Sequence, residues 1–264
     1  IHTGQLLATK ERFGDRRHYL NMKNCISAMI ENRVLPIVNE NDAISINELM
    51  FTDNDELSGL ISSMMDCEAL YILSDVDGIY NGLPGSEGAE VISKISQDSG
   101  DVGKFIFSES SGFGRGGMQT KYATARKIAS LGIDVYIANG TRDCIVTDIL
   151  KGKNVPFTHI VGNSTKKNSV KKWLYHSDTF ARGAVYINKG AKEALLNDKV
   201  TSLLMIGITK IEGFFKRGDI VRILDENGNS VGLGKSQYDS EKAEQNIGEK
   251  QSKPFIKYDY LIIN

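Results

Sequence analysis

Apolar runs that alternate with amphipathic helical patterns constrain the fold of this chain more than any other feature. The runs include GQLLAT, VLPIVNE, ALYILSDVDGIY and IDVYIANG, and apolar residues recur at helical spacing in RRHYLNMKNCISAMIENR, ELSGLISSMMDC and MQTKYATARKIASLG. Strands that are apolar along most of their length are typical of a parallel sheet covered on both faces. We therefore predict an α/β domain with a mostly parallel sheet sandwiched by helices. A further helix, in TRDCIVTDILKGK, is expected to start at Thr141.

The last hundred residues follow a different pattern. The segments GAVYINKGAKEALL, GITKIEGFFKRGDIVRILDENGNSVGLGKSQY and KYDYLIIN are interpreted as short strands broken by glycine turns, with ENGN as a hairpin signal. The lysine-rich stretch NSTKKNSVKKW precedes them. We predict two domains, an α/β domain over 1–166 and a small, mostly β domain over 167–264.

Charge and composition narrow the class of protein. Residues 1–163 carry a net charge of −6 and residues 164–264 carry +5, so the overall −1 conceals two halves with different partners. The longest apolar runs are too short to span a bilayer, and there is no signal peptide. Three scattered cysteines fit a reducing cytosol, and four histidines without ligand spacing argue against a structural metal. We expect a cytoplasmic protein that makes no membrane contact.

Two polar clusters lie where a parallel sheet would place its ligands. The first cluster, Asn39-Glu40-Asn41-Asp42, ends an apolar strand, and the second, Asp53-Asn54-Asp55, begins a helix. Ligands of such sheets bind at the carboxyl ends of the strands. Each cluster alone is explained about as well by turn residues and a helix cap. The two together favour a binding site for an ammonium group and for hydroxyl or carboxyl oxygens.

The segment LSDVDGIY offers a third candidate, because an apolar strand ends there on Ser74 and Asp75. A carboxylate at that place can orient a lysine or a magnesium-bound phosphate. As an isolated motif it is weak, since strands that end on an Asp-Gly turn are common.

A glycine-rich segment, SGFGRGGMQTK, precedes a helix whose first turns carry Lys121. Backbone N–H groups at glycines, a helix N-terminus and a lysine together form a phosphate cradle. The spacing matches neither a Walker A loop nor a dinucleotide-binding fingerprint. A flexible loop with a solvated lysine is the alternative. Carboxylates, a glycine–lysine loop and the lack of a Ser-His-Asp or Cys-His pattern favour phosphoryl transfer.

These motifs resemble a known family. VLPIVNENDAI, TDNDELSGL, LYILSDVDGIY and GRGGMQTK, in this order and spacing, are similar to the glutamate 5-kinases of the amino acid kinase family. The C-terminal segments resemble the PUA domain attached to many bacterial members. The resemblance implies the amino acid kinase fold, a PUA-like domain and ATP-dependent phosphorylation of the γ-carboxylate of L-glutamate, the first step of proline biosynthesis. ATP and Mg²⁺ are the implied cofactors, and no residue is assigned as a metal ligand.

The resemblance also implies roles for individual residues. Asp42 and Asn54 would bind glutamate, with Asn41, Asp53 and Asp55 close by. Ser74 and Asp75 would lie on the nucleotide side, where Asp75 would also organise the catalytic lysines. The nucleotide loop would consist of Arg115, Gly116, Gly117, Met118, Gln119, Thr120 and Lys121, with Lys121 in contact with the phosphates. The expected partners include proline as a feedback inhibitor and further copies of the chain in a homo-oligomer.

Two departures from the family pattern stand out. The lysine-bearing glycine strand-loop and the Ser-Gly-Ala loop with which the family begins are not in this sequence, which starts at Ile1 without an initiator Met. We interpret this as truncation before Ile1 and expect little or no kinase activity from the chain as given. The segment NGLPGSEGAE replaces a turn that usually contains Asp-Pro, near the nucleotide base.

The C-terminal domain raises the question of RNA. Lys166, Lys167, Lys171 and Lys172 beside Trp173 can contact phosphate and stack a base. A solvated linker whose tryptophan packs into the domain is the favoured interpretation.

Two other functions of the whole protein remain open. One is an amino acid kinase acting on aspartate, acetylglutamate or a nucleotide monophosphate. The other is a non-catalytic RNA-associated protein with a kinase-like domain.

Overall fold

A computed structural model of the chain describes residues 1–41, 54–96, 99, 102, 117–163, 169–175, 177–197, 201–250 and 253–263. The backbone divides into two compact units, Ile1–Lys167 and Asn168–Asn264. Among the described residues, no helix has the length and apolar character needed to cross a membrane.

The described strands of the first unit form two sheets. They are β1 (His2–Ala8), β2 (Val34–Glu40), β3 (Ala69–Ser74), β4 (Lys94–Ile95), β5 (Asp134–Asn139) and β6 (Thr158–Ile160). β1 and β2 pair in parallel, and the other sheet has the order β3-β5-β6-β4. β3 is parallel to β5 and β4 to β6, whereas β5 and β6 are antiparallel. The prediction of a mostly parallel sheet with helices is confirmed, with β5–β6 as its exception.

The helices of the first unit largely follow the sequence signals. They are α1 (Lys10–Phe13), α2 (Arg16–Glu31), α3 (Asn54–Met64), α4 (Met118–Ala129) and α5 (Ile145–Leu150). The Asp15 carboxylate caps α2 by accepting from the N–H groups of Arg17 and His18. After α4 the chain turns at Gly132, whose φ of +87° favours glycine.

The predicted start of α5 at Thr141 is wrong. The helix begins four residues later, at Ile145. Thr141 instead donates both its N–H and its hydroxyl to the side-chain oxygen of Asn139, at 3.0 and 2.7 Å. A threonine bonded to the preceding strand end forms a turn rather than a helix cap.

Helix α3 packs against β2, β3 and α4, and α4 packs against β5 and β6. Leu57, Leu60 and Met64 of α3 and Ala125 and Ile128 of α4 are buried. The apolar faces of the two helices therefore fix them against each other and against the strands. The same packing places the first turns of both helices, which carry the polar residues singled out above.

The described residues of the second unit form a five-stranded sheet with three short α-helices and two 3-10 turns. Its elements are α6 (Ser169–Tyr175), β7 (Gly183–Ile187), α7 (Lys189–Leu196), β8 (Ile208–Glu212), β9 (Ile220–Leu224), β10 (Ser230–Ser236), α8 (Ser240–Gln245) and β11 (Ile256–Ile263). The order is β11-β10-β9-β7-β8, antiparallel except for β7–β9. The hairpin predicted at ENGN joins β9 to β10, with Gly228 at φ +82°. The segment KGAKEALL is a helix, not part of a strand, because Asn188 caps it and its apolar residues have helical spacing.

Candidate active site

The carboxyl ends of β3 and β5 lie side by side, and the predicted nucleotide residues Ser74 and Asp75 are found there. Ser74 faces Asn139 in the parallel register. The Ser74 carbonyl oxygen accepts from the N–H of Gly140 at 2.8 Å, and its hydroxyl donates to Oδ1 of Asp75 at 3.0 Å. Asp75 itself is exposed. These contacts hold the backbone of Ser74 and leave the Asp75 carboxylate facing solvent at the edge of the sheet where ligands of α/β proteins bind.

Lys121 and Asp55 form an ion pair between the first turns of α4 and α3. Lys121 Nζ lies 2.7 Å from Asp55 Oδ2, and the two side chains are only 19% and 14% exposed. Coulomb attraction between partly buried charges is stronger than between solvated ones. The sequence predicted that Asp75 organises the catalytic lysines, but the partner that the structure gives Lys121 is Asp55.

The close approach of α3 and α4 explains how this pair forms. A Cβ placed on Gly59 of α3 would lie 2.9 Å from Cδ1 of Ile128 and 3.2 Å from Cγ2 of Thr124 on α4. Glycine at this position lets the two helices come within direct contact distance. The first turns of the helices then present Asp55 and Lys121 to each other.

Helix α4, which carries Lys121 in its first turns, begins directly after Gly117. Gly117, which has no side chain to cap the helix, occupies the capping position in an extended conformation, with φ −80° and ψ 177°. Thr120 donates its hydroxyl back to the Gly117 carbonyl at 2.7 Å. The N–H groups in the first turn of any helix have no acceptor within the helix itself. An anion there is favoured by these donors and by the helix dipole.

The end of β2 lies against a cavity. Asn41 follows β2, and its N–H donates to the carbonyl oxygen of Ala8, at the end of β1, at 2.8 Å. A cavity of about 290 Å³ opens here, lined by Asn41, Thr9, Phe13 and other residues of β1 and α2. One predicted substrate residue therefore borders a space large enough for a small molecule.

A second lysine beside the Lys121–Asp55 pair was missed in the sequence. Lys10 Nζ lies 2.7 Å from Oε1 of Glu56, the residue that follows Asp55, and the side chains are 12% and 29% exposed. Two adjacent acids of α3 thus pair with lysines from two other helices. Their separation of 46 and 66 positions along the chain carries no local signal, so no pattern could have indicated either pair.

The structure brings together only part of the predicted site. Direct contacts join Asp55 to Lys121 and Ser74 to Asp75, whereas Asn54 lies exposed at the start of α3. The predictions for Asp42, Asp53, Arg115 and Gly116 fall outside the described residues.

The proposed RNA contact through Trp173 is wrong. Trp173 is 2% exposed and lies on α6, which packs against β10 and β11. Lys172 is 4% exposed, and Nζ of Lys171 lies 3.8 Å from the centre of the Tyr258 ring. A base cannot stack on a buried indole, so the packing of the tryptophan into the domain is confirmed. The expectation of a solvated linker is wrong at Lys172, which is buried on α6. Lys166 and Lys167 fall outside the described residues.

Comparison with known proteins identifies the family. Residues 1–139 match the model of the amino acid kinase family, and residues 183–254 match that of the PUA domain. The chain is 52% identical to a glutamate 5-kinase of Bacteroides thetaiotaomicron over 264 residues, which cover all of this chain and 73% of the relative. A glutamate 5-kinase of Chlorobaculum tepidum is 47% identical over the whole chain and 72% of its own length. One of Myxococcus xanthus is 35% identical over 97% of the chain and 68% of its own length. The chain thus belongs to the glutamate 5-kinase family, with an amino acid kinase fold followed by a PUA domain.

Proposed function

We propose that this protein transfers the γ-phosphoryl group of ATP to the γ-carboxylate of L-glutamate, giving L-glutamyl 5-phosphate, the first step of proline biosynthesis. In this reaction a carboxylate oxygen forms a bond to the γ-phosphorus, and the bond from that phosphorus to the β–γ bridging oxygen breaks, so that ADP leaves. Family membership supports the reaction class, and the Lys121–Asp55 pair is the single structural observation that carries it.

Lys121 has the properties that the phosphoryl transfer requires. The attacking carboxylate and the triphosphate are both anionic, so a fixed cation near the transferred group lowers the repulsion between them. Asp55 positions Lys121 by binding its ammonium group at 2.7 Å. We therefore assign Asp55 a positioning role toward Lys121, in addition to its predicted place near the substrate. Asp75 remains on the nucleotide side in this proposal.

The substrate is proposed to be held by Asp42 and Asn54, with Asn41 and Asp53 nearby. Carboxylates suit the substrate ammonium group, and amides suit its carboxylates. Mg²⁺ bound to the triphosphate would supply further positive charge against the developing negative charge. The Asp75 carboxylate suits this ion, because it is exposed and its Oδ2 accepts no hydrogen bond from the residues that the structure describes.

The proposal also covers the domain boundary, feedback inhibition, assembly and RNA contact. The boundary between the kinase and PUA domains is placed at 166/167. Proline would act as a feedback inhibitor, the protein would form homo-oligomers in the cytoplasm, and an RNA contact of the PUA domain would not involve Trp173. Family resemblance supports these aspects.

Glutamate-dependent release of ADP by the complete gene product tests the function. We expect Lys121→Ala to lower kcat about a hundredfold or more, because a charge that stabilises the transition state is lost. Asp42→Ala should mainly raise KM for glutamate, since it removes a ligand of the substrate. Lys127→Ala, on the same helix, is the matched control and should keep both constants.

Activity with aspartate or acetylglutamate instead of glutamate would contradict the proposed substrate. Full activity in Lys121→Ala would contradict the proposed mechanism. A fall that reflects unfolding is recognised by circular dichroism, and the neutral pair Asp55→Asn/Lys121→Gln, which leaves no unpaired buried charge, keeps the test decisive.

A further inference from the structure

The loop that follows β3 is fastened to the loop that follows β5 by a network of side chains. Arg142 donates from Nε to Oδ1 of Asp77 at 2.8 Å and from Nη2 to Oδ2 at 2.7 Å. Asn139, the last residue of β5, donates from Nδ2 to Oδ1 of Asp77 at 3.1 Å. A two-pronged guanidinium–carboxylate contact fixes direction as well as distance. The three side chains therefore set the geometry between the two loops.

Every member of this network is held in turn. The Asn139 side-chain oxygen accepts from both the N–H and the hydroxyl of Thr141, so the amide cannot rotate without losing hydrogen bonds on both sides. The Arg142 guanidinium donates to both carboxylate oxygens of Asp77, so the contact joins groups of opposite charge and is charge-assisted.

The network lies immediately beyond the predicted nucleotide residues. The Gly140 N–H binds the Ser74 carbonyl at 2.8 Å, and the Asp77 carboxylate is bound by Arg142 and Asn139. Asp75 lies between these two fixed points along the chain. A Cβ on Gly140 would approach Cβ of Leu73 to 3.0 Å, so the two backbones are close here. The position of the Asp75 carboxylate thus depends on contacts made by the β5 loop.

Stability alone is a weak reason for such a network. The Arg142 side chain is 45% exposed, and exposed ion pairs contribute little to folding free energy. Lys153 and Asp148 form an ion pair of the same 2.7 Å length at the end of α5, with no link to the strand ends that carry Ser74 and Asp75. The Asp77 network differs from the Lys153–Asp148 pair in its location. It joins two strand ends at the edge of the sheet where ligands of α/β proteins bind.

We propose that Asp77, Asn139 and Arg142 are positioning residues that hold Ser74 and Asp75 in place and thereby set the affinity for the nucleotide, without acting on glutamate. The inference rests on the proposed function, because it takes the β3 edge as the nucleotide side. The inference also assigns the loop that follows β5 to the nucleotide side of the site.

Nucleotide affinity in variants of the complete gene product tests the inference. We expect Arg142→Gln and Asp77→Asn each to raise the dissociation constant of Mg·ADP about tenfold, measured by calorimetric titration. Arg142→Lys should give an intermediate value, because an ammonium group cannot make the two-pronged contact. The double variant should be no weaker than either single one, since both remove the same contact. KM for glutamate should stay unchanged in all of them.

Lys153→Gln is the matched control, because it breaks an ion pair of equal length in the same unit. Unchanged Mg·ADP affinity in Arg142→Gln would overturn the inference, as would a lowered melting temperature without a change in affinity. An equal effect of Lys153→Gln, or no nucleotide binding by the wild type, would also overturn it. A wild type that binds nucleotide but does not phosphorylate glutamate would overturn the proposed function, while the dissociation constants would still decide the inference.

Discussion

The candidate active site contains two ion pairs made by the neighbouring acids Asp55 and Glu56. These consecutive acids at the start of α3 pair with Lys121 and Lys10, which belong to different helices. Neither acid has a spacing or motif that indicates its partner. The pairs form because two packed helices and α1 bring lysines to the same turn. Taking charges out of water is unfavourable unless they pair, so partly buried positions favour these contacts over solvated side chains.

Asp225, in the hairpin of the PUA domain, allows a test by pH. It is 5% exposed, and its carboxylate accepts from Lys192 Nζ, from the N–H groups of Asn227 and Asn229, and from the Asn229 amide. The Lys192 hydrogen bond, followed by the Asn229 N–H, lowers the pKa of Asp225 far below 3.8. A carboxylate with a depressed pKa in the folded state contributes stability above its unfolded pKa and loses it as pH falls toward the folded value.

We therefore expect Asp225→Asn to destabilise the PUA domain at pH 7 and to do so less at pH 3, where the wild type has lost part of this contribution. Urea unfolding followed by the fluorescence of Trp173, the one tryptophan of the chain, gives both free energies. Glu226→Gln, at the exposed neighbouring residue, should change the free energy of unfolding little at either pH. An equal loss at pH 7 and pH 3 in Asp225→Asn would contradict the assignment.

The helices α3 and α4 act as one element of the candidate active site. A Cβ on Gly59 would lie 2.9 Å from Ile128 on the facing helix, which is fully buried, so any larger residue would require Ile128 to move. Because the Lys121–Asp55 pair bridges the first turns of these helices, their separation sets the geometry of the proposed site as well as affecting stability. A similar dependence joins β3 to β5, where the backbone and the Asp77 network connect the two loops.

Enlarging Gly59 tests this contact. We expect Gly59→Val to lower the free energy of unfolding by about 1–3 kcal/mol, because the added methyl groups collide with Ile128 and Thr124 in a closed interface. Urea unfolding followed by circular dichroism measures the change. Gly190→Val in α7 is the comparison, since the nearest atom to its built Cβ is 3.6 Å away. Because valine has a higher helix propensity than glycine, equal losses from both substitutions would show that the loss does not come from the α3–α4 contact.

The whole chain consists of two units with separate apolar cores. Buried residues such as Val185, Phe215, Val221 and Phe255 form a core within the second unit. The first unit has its own buried residues, among them Ile137 and Ile128. Units with separate cores can unfold separately, so a single free energy does not describe such a chain.

We expect the unfolding of the chain in urea to show two steps by circular dichroism, one for each unit. The fluorescence of Trp173 should report only the step in which the second unit unfolds. Gly59→Val should move only the step that the fluorescence does not follow, because Gly59 lies in the first unit and Trp173 in the second. Coincident transitions by both probes, shifted together by Gly59→Val, would show that the two units unfold as one.

Local patterns predicted a large part of this organisation. The apolar run that forms β3, the helical spacing of α2, α3 and α4 and the ENGN hairpin all depend on neighbours within about ten residues. Propensity and periodicity act over that distance, which is why these predictions are confirmed for the described residues. Two local signals were interpreted wrongly. Thr141 binds Asn139 instead of capping α5, and KGAKEALL forms a helix beside a strand.

The family, the order of the elements and the positions of the candidate residues along the chain therefore follow from the amino-acid sequence, because motifs and periodicity are properties of neighbouring residues. The pairing of Lys121 with Asp55, of Lys10 with Glu56 and of Arg142 with Asp77 required the packed fold. These partners are 46 to 66 positions apart, and their contacts exist because helices and strands pack at particular distances. Burial of apolar faces sets those distances, and the charged groups then pair with the partners that the packing brings within reach.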